Sequence, residues 1–323
     1  MKNLFALPLI IAVAACSNEP VPSDPGKLAF DETVVKVPGF VDFLTVDGNT
    51  VWATNATSRE EGMVEQWSPE GLVASVKMDR PCGTMALADG YIWAANCPEL
   101  SLYKIDTKSA EVAAVLETGL AEPRGETNVV SGAGSVWLPT DADGVITRID
   151  PATNEILATV TVVPGTFFLA FGEGALWAVA SEESLLQRID PETNKVTGTV
   201  KLGEQPGFLT AGEGAVWVQE QGDGTVAKID PQTLDIIART KVGDSLLYGD
   251  IDAADGKVWL RTTEDQTFVV IDAATTEILA RVGRAEGSGA IRYTPEGIWT
   301  SAHDVESINW WTPASADTEA ASQ

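Results

Sequence analysis

Residues 206–243 read PGFLTAGEGAVWVQEQGDGTVAKIDPQTLDIIARTKVG, and this stretch decides the fold. Segments of four to eight residues that are rich in Val, Ile, Thr and aromatic residues, and are bounded by Gly, Asp or Pro, are typical of β-strands. The stretch therefore predicts a unit of four short strands joined by tight turns. The four predicted strands are 208–211, 215–218, 225–229 and 235–242.

The same unit recurs along the chain, because a tryptophan returns at nearly constant spacing. Successive copies are 41, 44, 40, 40, 42 and 40 residues apart. Self-similarity at such a period is typical of repeat arrays and propellers. Seven copies predict an all-β, seven-bladed β-propeller with four-stranded blades, in which the tryptophans fill the gaps between blades. The repeated residues are Trp52, Trp93, Trp137, Trp177, Trp217, Trp259 and Trp299.

A second repeated feature is an Ile-Asp turn, whose Ile follows the tryptophan by 12 residues in five copies. The Asp carboxylate can accept a backbone N–H two residues later, which favours a turn. A fold needs such a turn in every repeat, whereas a reaction needs only one or two carboxylates. We therefore interpret these residues as structural rather than catalytic. They are Asp106, Asp150, Asp190, Asp230 and Asp272.

The combined pattern, G-x-x-[VLI]-W-V followed by K/R-I-D-P-x-T-x-x-I-x-A-T-x-x-V-G, resembles YVTN-type β-propeller repeats. It is also similar to the repeats of streptogramin B (virginiamycin B) lyases, which are seven-bladed. The resemblance covers residues 33–313. The matching positions serve packing and turns, so the resemblance implies the fold and leaves the activity open.

The two ends of the repeat region predict how the ring closes. The last repeat runs from Ala290 to about Thr312 and contains only three strands. Residues 33–39, TVVKVPG, match the fourth strand of the other repeats and precede the first tryptophan. We expect this N-terminal strand to complete the seventh blade, which would remove the open edges of a linear array.

The start of the chain has the features of an export signal. Residues 1–15 hold Lys2 and an apolar run too short to span a bilayer, which predicts a signal peptide. The motif VAAC at 13–16 resembles the bacterial lipobox, which implies lipidation of Cys16; a plain signal with a chance cysteine is the alternative. Ser17 then favours the periplasmic face of the outer membrane, because an Asp at that position would imply retention in the inner membrane.

The predicted mature chain has three parts. Residues 16–30 are a flexible linker rich in Pro and Ser, residues 31–313 form the propeller, and residues 314–323 form a disordered tail. The chain carries 47 acidic and 21 basic residues, a formal net charge of −26. Such a surface repels nucleic acid, so we expect no nucleic-acid partner. We further expect a monomer whose ligand is an unidentified protein or small molecule.

Two further cysteines, Cys82 and Cys97, lie in loops that flank the second blade on one face. Export favours a disulfide between them, and two buried free thiols are the alternative.

Ligands of propellers usually lie over the central channel, on the face where loops link one blade to the next. The loop 119–128 is the longest such link, which makes Arg124, Glu126 and Asn128 candidate ligand contacts. Arg80 lies in another link on this face, and His303 begins a loop there and could act as a base.

Three charged residues depart from the repeat on or near inner strands: Asp42, Asp250 and Arg292. The two carboxylates could gather on one rim and bind Ca²⁺ or Mg²⁺, although solvated charges lining a wet channel are an equal alternative.

These features favour a membrane-tethered ligand-binding or protein-interaction scaffold over an enzyme. The sequence has no GxSxG, no metal-spaced His cluster and no phosphate loop. One alternative is a C–O lyase like the streptogramin B enzymes, which open a cyclic depsipeptide with Mg²⁺ through His and Glu residues. Residues 287–289, GSG, stand where that family has its His-bearing stretch, and its Glu falls near His303. A quinone-dependent dehydrogenase is the other alternative, and its tryptophan-docking motif is missing.

Overall fold

The computed structural model describes residues 28–58, 61–124 and 127–314. The predicted signal peptide, Cys16, Glu126 and nearly all of the predicted tail lie outside the described residues. Seven four-stranded antiparallel sheets form a ring, which confirms the all-β, seven-bladed propeller. No helix in these described ranges is long and apolar enough to cross a membrane.

The four strands of each blade follow one another from the central channel to the outside of the ring. Blade 1 contains β2 (Phe40–Asp47), β3 (Thr50–Ala56), β4 (Gly62–Ser68) and β5 (Gly71–Met78); blade 2 contains β6 (Pro81–Ala88), β7 (Tyr91–Asn96), β8 (Ser101–Asp106) and β9 (Glu111–Leu116); blade 3 contains β10 (Val130–Gly132), β11 (Ser135–Asp141), β12 (Val145–Ile149) and β13 (Ile156–Thr161). Blade 4 contains β14 (Thr166–Gly172), β15 (Ala175–Ala180), β16 (Leu185–Asp190) and β17 (Lys195–Lys201); blade 5 contains β18 (Pro206–Gly212), β19 (Ala215–Glu220), β20 (Thr225–Ile229) and β21 (Ile236–Lys241). Blade 6 contains β22 (Ile251–Ala254), β23 (Lys257–Arg261), β24 (Phe268–Asp272) and β25 (Ile278–Val282); blade 7 contains β26 (Ile291–Thr294), β27 (Gly297–Ala302), β28 (Ser307–Pro313) and β1 (Phe30–Lys36), with one 3₁₀ turn, His303–Val305, between β27 and β28.

The repeated tryptophans lie in the second strand of each blade and are buried between blades. Trp52, for example, packs with Met78 of its own blade and with Met85 of blade 2. The indole N–H of Trp137 donates to the carbonyl of Gly132 at 3.0 Å, and the guanidinium of Arg148 lies 4.7 Å from its ring centroid. The large apolar ring and its polar edge are therefore both accommodated, as a buried tryptophan requires.

The Ile-Asp turns have the structural role that the sequence predicts. The Oδ1 of Asp230 accepts the backbone N–H of Gln232 and of Thr233, each at 2.8 Å. These hydrogen bonds hold the pKa of Asp230 below its usual range. The carboxylates of Asp106, Asp150 and Asp272 accept the equivalent pair of backbone donors.

The ring closes through an N-terminal strand, as predicted. The strand β1 pairs with β28 in an antiparallel register that runs from Phe30 with Pro313 to Lys36 with Ser307. It begins at Phe30, three residues before the start of the predicted strand at Thr33, and the Phe30 ring packs edge-on against Phe268 of blade 6 at 5.6 Å. That contact extends the seam beyond the fourth-strand motif.

Three phenylalanine rings from the inner strands meet at the central channel. Phe43 lies on the inner strand of blade 1. Phe168 and Phe208 lie on the inner strands of the adjacent blades 4 and 5, across the ring from blade 1. The ring centroid of Phe208 lies 4.9 Å from that of Phe168 and 6.1 Å from that of Phe43. We call these three rings the aromatic partition. One cavity, the upper cavity, lies among the blade-linking loops, and another, the channel cavity, lies deeper between the inner strands.

Candidate functional site

The upper cavity has a volume of about 440 Å³ and lies where blades 1 and 2 meet. It brings together three of the predicted ligand contacts, Asp42, Arg80 and Arg124. Its walls come from the start of β2, the end of β3, the start of β6 and the loop after blade 2. Phe40, Phe43, Thr54, Ala56, Ser58, Pro81 and Cys82 complete the lining.

The predicted disulfide between Cys82 and Cys97 is confirmed, and it supports one wall of this cavity. The two Cα atoms are 5.9 Å apart. The backbone N–H of Cys97 donates to the carbonyl of Arg80 at 3.1 Å. The disulfide therefore holds the loop that carries Arg80 against the end of β7.

The two arginines of the upper cavity differ in how their charges are used. The Nε of Arg124 donates to the buried Glu122 at 2.8 Å, and hydrogen bonds from Arg124 keep the pKa of Glu122 below its usual range. The Nη2 of Arg80 donates to the backbone carbonyl of Arg124 at 2.9 Å. Because this acceptor is uncharged, the contact does not neutralise the positive charge of Arg80. Arg80 is therefore the better placed of the two to meet an anionic group.

His303 joins the rim of the upper cavity through Phe40. The two rings are stacked, with centroids 3.8 Å apart and planes 19° apart, and Phe40 is 48% exposed. The Nδ1 of His303 lies 3.2 Å from a carboxylate oxygen of Asp304. Burial lowers the pKa of His303, although Asp304 opposes the shift, so the fold favours the neutral imidazole. The pair forms a flat aromatic surface beside the cavity.

Asn128 has a structural role in this fold. Its side chain is buried, its amide oxygen accepts the backbone N–H of Leu169 at 2.8 Å, and its amide nitrogen donates to Thr84 at 3.1 Å. It thus links blades 2 and 4 above the short strand β10. Its side-chain hydrogen bonds are therefore committed within the fold rather than offered to the upper cavity.

Asp250 and Arg292 form a buried ion pair beside the channel cavity. The Nη1 of Arg292 donates to Asp250, whose other carboxylate oxygen accepts the backbone N–H of Ile251 at 2.8 Å. Burial raises the pKa of Asp250, and the charge of Arg292 opposes that shift. This arrangement differs from the expected solvated charges.

The structure also separates the two carboxylates of the predicted cation site. Asp42 lines the upper cavity and Asp250 lines the channel cavity, so they do not gather on one rim. Within residues 28–58, 61–124 and 127–314, no group of three or more His, Cys, Asp or Glu side chains could hold a metal ion.

Arg261 is a buried charge that the sequence interpretation missed. It is 1% exposed at the end of β23, and its guanidinium donates to the carbonyls of Ser301 at 3.1 Å and Thr267 at 2.9 Å. Burial lowers its pKa to about 10. It fastens blade 6 to blade 7. The signal that could have revealed it was a charged residue two positions after Trp259, where the other repeats carry uncharged residues.

No protein-family model and no curated protein sequence matches the chain. Similar solved structures include the virginiamycin B lyase from Staphylococcus aureus, with a TM-score of 0.69 and 15% identity over 88% of this chain and 100% of that chain. A streptogramin B lyase structure has a TM-score of 0.72 and 16% identity over 89% of this chain and 98% of that chain. The β-propeller domain of Cps50 (Swd1) from Myceliophteria thermophila has a TM-score of 0.69 and 14% identity over 88% of this chain and 100% of that chain. At these identities the likeness shows the fold.

Proposed function

We propose that this protein is a membrane-tethered binding module whose ligand occupies the upper cavity. The observation that carries the proposal is the convergence of Asp42, Arg80 and Arg124 around a cavity beside the exposed, stacked ring of Phe40. Concave sites lined by apolar side chains with a few polar groups are typical of small-molecule binding. The disulfide makes this site largely preformed, which lowers the entropic cost of binding.

The cavity favours a ligand with an apolar or aromatic body and a carboxylate. Phe40, Phe43 and Pro81 supply apolar contact area, and Arg80 supplies a planar donor for an anionic group. The whole chain is strongly acidic, with a net charge of −26, so an anionic group gains most by lying directly against an arginine.

This proposal is tested with 3-phenylpropionate and its uncharged analogue 3-phenylpropanol, titrated by calorimetry. The carboxylate should bind more tightly, and Arg80→Gln should remove that preference. Phe40→Ala should weaken both compounds, because it removes the exposed ring. Arg188→Gln on blade 4, which changes the net charge equally at a distant site, is the matched control. Equal affinities for Arg80→Gln and the wild type would contradict the proposal.

The membrane tether is proposed from the apolar run that ends at Cys16. Acyl chains on this cysteine would hold the protein at a membrane surface without a spanning helix. Intact-mass measurement of protein isolated from its membranes should show the added acyl chains, and Cys16→Ser should release the protein into the soluble fraction. An unmodified Cys16, or cleavage elsewhere, would contradict the tether and leave the binding proposal intact.

A second candidate is a lyase that opens cyclic depsipeptides. It is favoured by the two lyase structures of similar fold and by His303, which lies beside the upper cavity next to Asp304. The test is incubation with virginiamycin B and Mg²⁺, with ring opening followed by mass spectrometry. Turnover that is lost in His303→Ala would favour the lyase over the binding module, and absence of turnover would favour the binding module.

A further inference from the structure

Seven residues of the inner strands form a ring around the channel, one from each blade. Each of them is the residue that pairs with the repeated tryptophan of its blade, so all seven lie at the same height. Five are uncharged: Thr45, Ala86, Val130, Ala170 and Thr210. The other two, on the adjacent blades 6 and 7, are Asp252 and Arg292. The ring therefore has one charged side, made of one acidic and one basic group, and the carboxylate of Asp250 lies beside it as the ion-pair partner of Arg292.

This ring lines the channel cavity, which has a volume of about 380 Å³. The residues of the aromatic partition stand two positions earlier on their strands than the ring residues of the same blades. Of the aromatic partition, Phe208 lines this cavity and Phe43 lines the upper one. A volume of this size is within the range of small-molecule sites.

Arg292 retains hydrogen-bond donors at this cavity. Among the described residues, every hydrogen bond of its guanidinium is made by Nη1, to Asp250 and to the carbonyl of Ile291. The Nε and Nη2 groups keep the paired donors that bind a carboxylate in a bidentate manner. The ion pair with Asp250 fixes the guanidinium plane, so these donors are held in place before a ligand arrives.

Asp252 retains acceptor capacity beside it. Its two carboxylate oxygens accept the backbone N–H groups of Ala253 and Tyr293, each at 2.9 Å. A carboxylate has about four acceptor positions, so each oxygen can accept one more donor. The backbone bonds orient the group without neutralising its charge.

We propose that the channel cavity binds a small zwitterion, such as an α-amino acid, with its carboxylate on Arg292 and its ammonium on Asp252. Thr210 on blade 5 and Ser131 on blade 3 line the same cavity and offer hydroxyls to a polar side chain. A zwitterion matches both charged groups and carries no net charge into a protein whose own charge is −26. This site is independent of the upper cavity and of the function proposed for it.

The test is calorimetric titration of the full chain with the common L-amino acids. The tightest ligand is then compared with its decarboxylated amine and its deaminated acid; for serine these are ethanolamine and 3-hydroxypropionate. Both analogues should bind at least about tenfold more weakly, because each loses one charged contact. Failure of every amino acid to bind at millimolar concentration, or equal binding of the three compounds, would overturn the proposal.

Two variants locate the site. Asp252→Asn keeps an oxygen for one of the two backbone donors, removes the negative charge, and should make the zwitterion bind no better than the deaminated acid. Thr210→Leu fills the cavity without changing a charge and should abolish binding. Phe40→Ala, in the upper cavity, should leave the affinity unchanged, and thermal unfolding shows that each variant is folded. Full affinity in folded Asp252→Asn and Thr210→Leu proteins, or loss of binding in Phe40→Ala, would overturn the assignment.

Discussion

Blades 5 and 6 are neighbours with the same skeleton and different uses. Both keep the buried tryptophan and the Asp-capped turn. The inner strand of blade 5, Pro206–Gly212, follows the repeat and presents Thr210 to the channel, whereas that of blade 6, Ile251–Ala254, is shorter and presents Asp252. The position two residues after the tryptophan holds Gln219 in blade 5 and Arg261 in blade 6. The repeated residues thus maintain the blade, and the remaining positions are free to carry charge.

The strongest test of the shared skeleton is removal of the tryptophan from each blade in turn. Trp217→Ala and Trp259→Ala should each lower the free energy of unfolding by about 3–5 kcal/mol, because both create a large cavity between blades. Denaturant unfolding of the two variants measures the difference. A loss below about 1 kcal/mol in blade 6 alone would show that its charged contacts have replaced the tryptophan as the main support.

A feature present once in the ring should also have a large effect. Replacing Cys82 and Cys97 together by Ala should lower the free energy of unfolding by about 3 kcal/mol, because the disulfide closes a loop with a sequence separation of 15. The same variant should weaken binding at the upper cavity while leaving the channel cavity unaffected. Equal stability of the wild-type protein under oxidising and reducing conditions would contradict this expectation.

The sharpest contrast between blades 5 and 6 lies at Gln219 and Arg261. Arg261→Met should cost about 2 kcal/mol, because the buried carbonyl of Ser301 loses both of its hydrogen bonds from Arg261, while that of Thr267 keeps only the backbone N–H of Thr262. Gln219→Met is the matched control. Among the described residues, neither amide atom of Gln219 has a hydrogen-bond partner although the side chain is fully buried. That substitution should be neutral or stabilising, and equal losses in the two variants would contradict the contrast.

The smallest expected effect concerns pH and blade 7. Because burial lowers the pKa of His303 from its ordinary 6.5, the unfolded chain binds a proton at a higher pH than the folded protein does. The free energy of unfolding should therefore fall as the pH drops below 6.5, until the folded imidazole is also protonated. His303→Phe, which keeps a ring on Phe40, should lose less stability between about pH 7.5 and about pH 5.5. Equal losses would show that His303 does not contribute.

Comparison of the repeats predicts the parts of the molecule that recur. Trp217 is one of seven repeated tryptophans, and a packing role is the simplest explanation for so many copies. Asp230 is one of five repeated aspartates, for which a role in a turn is the simplest explanation. The closing strand was predictable because one motif was missing at one end and present at the other.

The site depends on register, which the repeat pattern does not provide. Asp252 belongs to the ring of seven residues around the channel because it pairs with Trp259. A bulge in a strand can change which of its side chains faces the channel axis. The sequence places Asn128 in a loop, whereas the structure shows its buried amide linking blades 2 and 4 beside the three-residue strand β10. Arg80 and Arg124 line the same cavity because loops between blades converge in a propeller, whereas the ion pair of Arg124 depends on Glu122, which the repeat pattern does not reveal.

The pairing of β1 with β28 also sets the order of events during synthesis. Phe30 leaves the ribosome long before Pro313, and at about 5–20 residues per second the delay between them is roughly 15–60 s. During that interval β1 has no partner and presents an unpaired strand edge, a structure that invites association with other chains. The apolar residues Val34 and Phe30 are on this strand. The seam that seals the finished ring is thus the part of the molecule that most needs protection while the ring is incomplete.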